Sequence, residues 1–171
     1  MTRYRIDPAR SRVKIDATSS VHPIHSETDG LEGWVEVTLT ATGRLRKGAP
    51  SGAHLELAVA LLRGGNPLEA RELQKRLDAR THPTIIGDLR SLSATDQVGR
   101  FTAQGDITLR GVTRPHEDAL TIEPDGPDAI RIRGSSTFDI RDFGMEPPRI
   151  LMLKVNPDVT VTVDITATTA S

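Results

Sequence analysis

The residues best placed to hold a metal in this chain stand together at His22-Pro23-Ile24-His25-Ser26-Glu27-Thr28-Asp29. On an extended strand side chains alternate between faces, so His25, Glu27 and Asp29 would share one face and offer an imidazole and two carboxylates to a divalent cation. Pro23 and Gly30 mark the same stretch as a solvated loop or sheet edge, and no metal site is expected there. The other histidines, His54, His82 and His116, are scattered and read as structural. A second chemistry is anion binding. Arg71, Arg110, Arg114 and Arg141 could gather at the open end of a sheet, where guanidinium groups suit a phosphate head. The plainer reading is four ordinary surface charges.

Nothing nominates a catalytic machine. Arg141-Asp142-Phe143-Gly144 contains the letters of a kinase magnesium loop without the glycine-rich loop, strand lysine or catalytic loop that give them meaning. There is no G-x-S-x-G, H-E-x-x-H, P-loop or dinucleotide fingerprint. Acid pairs are abundant but surface-like, and none stands out as an acid and base. The absence of cysteine excludes disulfides, thiolate metal ligands and a thiol nucleophile. No catalytic residue and no cofactor are expected. With 22 Lys plus Arg against 23 Asp plus Glu, the net charge of −1 gives no broad attraction to a phosphate backbone, so nucleic acid is not an expected partner.

The elements that must position these groups are mostly strands. From 101 to 111, Phe101, Ala103, Gly105, Ile107 and Leu109 alternate with Thr102, Gln104, Asp106, Thr108 and Arg110. The same period of two runs through 130–141 and through Val159, Val161, Val163 and Ile165. Weaker strands are expected at 12–20, 34–41, 54–62, 85–92, 118–123 and 150–155, separated by turn residues. In the 34–41 stretch the phase is ambiguous, because Trp34 competes with Val35, Val37 and Leu39 for the interior. Eight or nine meandering antiparallel strands in 171 residues favour one all-β domain over 1–171, an up-and-down barrel or a sandwich. Gly105, Gly111, Gly134, Ser136, Ala58 and Ala60 make the expected interior light. Small residues there leave room for one ligand, or else mark bulges and bends of a filled barrel, and both readings stay open.

One segment departs from the period of two. Asn66 as N-cap, Pro67 at the first helical position, Glu69 reaching back to the cap, and Ala70, Leu73 and Leu77 on one stripe predict a helix over about 66–78. His82-Pro83 then forces extended backbone before the next strand. An apolar stripe on a helix between two strands is best used to cap an open barrel end, or to flank the barrel's outer wall. The N-terminus carries scattered charges and no signal-like apolar run, so a cytoplasmic protein is expected unless a leader was removed. No stretch reaches the roughly 20 apolar residues of a membrane-spanning helix, and stable membrane insertion is not expected.

Four blocks, taken together, resemble the YceI-like family. They are Tyr4-Arg5-Ile6-Asp7-Pro8-Ala9-Arg10-Ser11-Arg12-Val13; Arg71-Glu72-Leu73 leading to His82-Pro83-Thr84-Ile85; Gly105-Asp106-Ile107-Thr108-Leu109-Arg110-Gly111-Val112-Thr113-Arg114-Pro115; and Ile140-Arg141-Asp142-Phe143-Gly144. They occur in the family's order and span nearly the whole chain. The resemblance implies a lipocalin-like antiparallel β-barrel of about eight strands with one helix, whose elongated apolar interior holds a polyisoprenoid chain such as a polyprenyl phosphate or a quinone tail. Where many relatives carry paired aromatics, this chain has Arg76-Leu77-Asp78-Ala79-Arg80, a departure that bears on the size and shape of the cavity.

The expected function is therefore non-catalytic binding, carrying or sequestering of a long apolar isoprenoid-type molecule. Burial of apolar surface at about 25 cal/mol per Å² would supply the affinity. The expected lining is Leu57, Val59 and Leu61, then Phe101, Ile107 and Leu109, then Phe138 and Ile140, with Leu73 and Leu77 from the helix and Arg71 and Arg141 for a polar head. Two rival readings are a barrel enzyme, such as a cyclase or isomerase that confines an apolar substrate, and a filled-barrel interaction module with room for a homodimer.

Overall fold

In a computed structural model of the chain, residues 3–19, 23–64, 71, 74–75, 78–145, 149–150 and 153–169 are described. They form strands β1 (Arg3–Ile6), β2 (Arg12–Ser19), β3 (Pro23–Thr28), β4 (Leu31–Glu36), β5 (Gly52–Ala58), β6 (Arg63–Gly64), β7 (Thr84–Ala94), β8 (Arg100–Leu109), β9 (Val112–Pro124), β10 (Ala129–Asp139), β11 (Arg149–Ile150) and β12 (Leu153–Thr169). Each neighbouring pair is antiparallel, and β12 pairs with both β1 and β2, which joins the last strand to the first. The circuit β1, β4, β5, β7, β8, β9, β10, β12 returns to β1, so the sheet is a closed antiparallel barrel of eight strands. Closure leaves no unpaired edge along this circuit. Among the described residues no helix is long and apolar enough to cross a membrane.

Three neighbouring strands break at the same level. The first breaks between β1 and β2 at a 3-10 turn, Pro8–Arg10, capped by Asp7, whose carboxylate accepts the Ala9 N–H. The second breaks between β3 and β4 at Asp29-Gly30, and the third between β5 and β6 at a 3-10 turn, Val59–Leu61. Register places these breaks side by side: Arg5 faces Trp34 and Val13 faces Thr28, while Leu31 faces Leu57 and Glu27 faces Arg63. The sheet turns a corner there. Ladder bonds lost at the corner are replaced by buried hydroxyls. Fully buried Ser11 donates to the Thr166 carbonyl and accepts the Thr166 N–H, Ser26 donates to the Arg63 carbonyl, and Thr28 accepts the Gly30 N–H. Gly30 lets the Leu61 side chain lie against the corner, since a Cβ there would stand 2.3 Å from Leu61 Cδ1 and turn that exposed side chain aside.

The corner also shifts the side-chain phase. Strict alternation through 54–62 would turn Leu57, Val59 and Leu61 inward together. The 3-10 turn instead buries Val59 and Leu62, at 1% and 2% exposure, and leaves Leu61 outside at 49%. Leu61 is therefore excluded from the interior. β3 is a strand where a loop or edge was expected, because its inward residues, Ser26 and Thr28, are polar and conceal the alternation. The ambiguity at Trp34 is resolved: Val35 and Val37 are buried, and Trp34 faces outward beneath the Arg3 guanidinium, 4.3 Å from its centroid.

Arg71, Gln74 and Lys75 are helical, which agrees with the helix expected over 66–78; its remaining positions up to Leu77 lie outside the described residues. The helix end is clear. Asp78 takes a left-handed φ of 51°, its N–H donates to the Lys75 carbonyl, and the Ala79 N–H reaches back to the Gln74 carbonyl, a Schellman closure. Ala79 packs on the barrel core, and the imidazole of His82 lies beside Gly111 in the β8–β9 turn. The segment therefore ends at the same barrel mouth as that turn. Arg110 and Gly111 both have positive φ, the two-residue hairpin geometry whose twist matches the flanking strands.

The other barrel end is filled. Val37, Phe101, Ile130 and Ala167 are buried to within 1% exposure, and Leu39 and Leu45 of the β4–β5 loop pack beneath them. Outside the barrel, charges bridge strands. Arg131 grips Asp164 with two hydrogen bonds of 3.0 and 2.9 Å. His54 lies 2.9 Å from Glu56 and 2.6 Å from Asp88, and its hydrogen bonds with those acids, Glu56 foremost, push its pKa above the ordinary imidazole range.

Leu62→Ala should cost about 2–5 kcal/mol of stability in urea unfolding, and Leu61→Ala about 1 kcal/mol or less, the reverse of what unbroken alternation would give. A raised folded pKa means that the His54 contribution is complete below its unfolded pKa, near pH 6.5, and fades as pH rises through the folded value. The stability gap between wild type and His54→Gln should therefore be widest near about pH 5.5 and shrink above about pH 6.5. A gap independent of pH would remove the ion pairs from the account.

Candidate functional site

Between the filled end and the mouth lies a cavity of about 220 Å³. Its walls are the inward faces of successive strands: Val35 from β4, Ala53 and Leu55 from β5, Gly87, Leu89 and Leu92 from β7, Ala103, Gly105 and Ile107 from β8, Leu120 and Ile122 from β9, Ile132, Gly134 and Phe138 from β10, and Val161, Val163 and Ile165 from β12. A bulge at Arg90 explains why Leu89 and Leu92 both point inward, since one extra residue reverses the phase of β7.

The cavity exists because side chains are missing or small on adjoining strands. Gly105 is needed by the backbone, as a Cβ there would lie 2.2 Å from the Asp88 carbonyl oxygen across the bulge. Gly87 is different. A Cβ there would make only ordinary contacts, at 3.6 Å or more, with Ile107 and Leu55, so glycine at that position leaves space rather than relieving strain.

One wall is polar. His116, Asp118 and Ser136 face the cavity from β9 and β10. His116 Nε2 lies 2.9 Å from Asp118 Oδ1 and 2.9 Å from Ser136 Oγ, and the Ser136 hydroxyl donates to Asp118. The cluster is partly buried, and the His116 ring stacks on Phe138 with centroids 4.2 Å apart. Alternation read backward from Ile122 and Leu120 reaches Asp118 and His116 on the same face. That signal was present in the sequence, but His116 read as one of several scattered histidines.

His116 and Phe138 also border a second depression on the mouth side, of about 500 Å³, completed by Arg114, Pro115, Arg141, Asp142 and Phe143. Its cations have partners. Arg114 Nε donates to the Asp142 carbonyl at 2.9 Å, and Arg110 reaches the Gly144 carbonyl at 3.5 Å. Arg141 is clasped by Asp139, with Nη2–Oδ2 at 2.6 Å; the Arg141 side chain and backbone N–H hold the Asp139 carboxyl below the usual carboxylate range. Asp139 thereby caps the 3-10 turn Ile140–Phe143 that shapes the rim.

The expected binding residues fall in several places. Ile107 and Phe138 wall the cavity, and Arg141 borders the outer depression. Leu57, Val59, Phe101 and Ile140 are buried in the packed core, Leu109 packs against it, and Leu61 is outside. Arg71 is exposed, and Leu73 and Leu77 lie outside the described residues. Arg110, Arg114 and Arg141 do converge on the 3-10 turn and its C-terminal flank. Of the candidate metal ligands, His22 lies outside the described residues, His25 pairs with Asp16, and Asp29 with Arg63. Among the described residues no group of three or more metal-capable side chains comes together.

Similar architecture occurs in solved structures. BcnA of Burkholderia cenocepacia superposes with a TM-score of 0.80 at 16% identity, over 95% of this chain and 99% of that one. A polyisoprenoid binding domain from Saccharophagus degradans, implicated in plant cell wall breakdown, gives 0.75 at 11% identity, over 99% of this chain and 100% of that one. A YceI protein of Campylobacter jejuni gives 0.62 at 12% identity, over 80% and 81%. No curated protein matches the sequence. Residues 4–167, from β1 almost to the end of β12, match the YceI-like domain, and the chain belongs to that family.

Proposed function

We propose that the barrel interior binds an apolar isoprenoid-type molecule, to carry or sequester it, without performing chemistry on it. The observation that supports this most is the cavity of about 220 Å³ walled by aliphatic side chains from seven strands and opening toward the mouth beside His116 and Phe138. An apolar cavity that stays dry gains from any hydrocarbon that fills it, both from surface removed from water and from restored van der Waals contact. The polyisoprenoid binding described for the Saccharophagus degradans domain supports the same ligand class here.

Size narrows the class. A cavity of about 150 Å³ holds the six heavy atoms of benzene, which scales to roughly nine here, close to two isoprene units. A longer chain would continue past the stacked rings of His116 and Phe138 into the outer depression, whose lining includes Phe143 and Pro115. The polar cluster supports binding over catalysis. A serine nucleophile needs its acid on one imidazole nitrogen and its hydroxyl on the other, whereas Asp118 and Ser136 both meet Nε2 and the hydroxyl proton is directed to Asp118.

Native mass spectrometry of the purified protein, with organic extraction of what it carries, should show an apolar adduct approaching one per chain. Gly87→Leu folds without a backbone clash but places its side chain in the cavity, so its adduct should fall at least about tenfold, a loss of about 1.4 kcal/mol or more. An empty wild-type spectrum, with no rise in melting temperature on adding prenyl compounds, would overturn the reading.

A further inference from the structure

The walls of the cavity discriminate between head groups. Among the described residues that border it there is no lysine or arginine. Three bordering acids are engaged on the outer face: Glu36 with Arg3, Asp88 with His54 and Asp106 with Arg90. Asp118 instead joins His116 and Ser136 on the inner wall, at the point where the cavity meets the outer depression. The guanidinium groups that border the outer depression, Arg114 and Arg141, lie on the mouth side of the His116–Phe138 stack, Arg114 bonded to the Asp142 main-chain carbonyl and Arg141 to the Asp139 carboxylate.

We propose that His116, Asp118 and Ser136 form a head-group site for a neutral alcohol, whose tail of about two isoprene units fills the cavity. The inference rests on the interior being the binding site. A hydroxyl both donates and accepts. It can give its proton to the Asp118 carboxylate while the Ser136 hydroxyl turns its own proton from Asp118 to the ligand oxygen, an exchange that keeps every donor paired, whereas an all-hydrocarbon ligand would leave the cluster desolvated. A phosphate brings only acceptors, and its charge, against Asp118 with no cation on the wall. The cluster therefore selects for the uncharged hydroxyl and against the phosphorylated form of the same chain.

The test uses four ligands with one ten-carbon skeleton: geraniol, its methyl ether, geranyl phosphate and the hydrocarbon myrcene. Affinities are read by calorimetry on wild type, Ser136→Ala and Asp118→Asn. Wild type should bind geraniol about tenfold or more tighter than the ether and the phosphate, the scale of one hydrogen bond to a charged group. Both variants should narrow that ratio toward one while leaving myrcene affinity within about threefold. Myrcene binding without preference for the alcohol, or phosphate binding as tight as alcohol, would overturn the head-group site and leave the binding reading intact. If none of the four binds, the interior is not a binding site for this class, and both readings fall.

Discussion

An open antiparallel sheet leaves a row of unpaired N–H and C=O groups at each edge, and this chain removes both rows by laying its first strands along its last. β12 runs for 17 residues, long enough to pair with β2 from Val155 to Asp164 and then with β1 from Ala167 to Thr169. Between those two pairings the ladder is interrupted, and Ser11, with Asp7, supplies the missing bonds to Thr166. A hydroxyl buried to 0% exposure at that point completes the ring of hydrogen bonds that encloses the interior. Without closure the small residues on β7, β8 and β10 would merely weaken a sheet; with it they enclose a space.

How that space is divided follows from side-chain volume along the barrel axis. Phe101, Ile122, Ile130 and Val37 fill one end to the density of an ordinary core. Above them Gly87, Gly105, Gly134 and Ala103 supply too little volume to meet across the barrel, and the cavity begins. At its outer limit His116 and Phe138 stack, separating the apolar chamber from the rim with its arginines. Apolar volume, polar cluster and cationic rim thus follow one another toward the mouth. That order suits an amphiphile held by its tail.

The alternation read over 101–111 and 130–141 was legible in the sequence because nothing interrupts its phase as far as Leu109 and Asp139, where a hairpin turn and a 3-10 turn begin. The end of the helix at Asp78 was legible too, since the residues after it cannot continue a helical stripe. The corner was not. Its 3-10 turn at Val59–Leu61 is built from apolar residues that read as unbroken strand, so Leu61 was expected inside and Leu62 is there instead. β3 was hidden for the opposite reason, because its inward residues are hydroxyls serving the corner. The polar cluster escaped notice because a histidine two residues from an aspartate, on a strand with apolar inward positions further along, looks like a surface pair until the barrel closes around it.

Everything above turns on the closed barrel enclosing an apolar chamber rather than a collapsed or water-filled interior. Crystals of the protein, grown after organic extraction of any bound ligand and refolding, and held under xenon, would test this directly, since xenon enters dry apolar cavities and reports their position. A xenon site is expected within van der Waals contact of Leu55, Leu89 and Ile107, against the wall formed by β5, β7 and β8. A diffraction map with no xenon there, and with side chains or ordered water filling that volume, would contradict it.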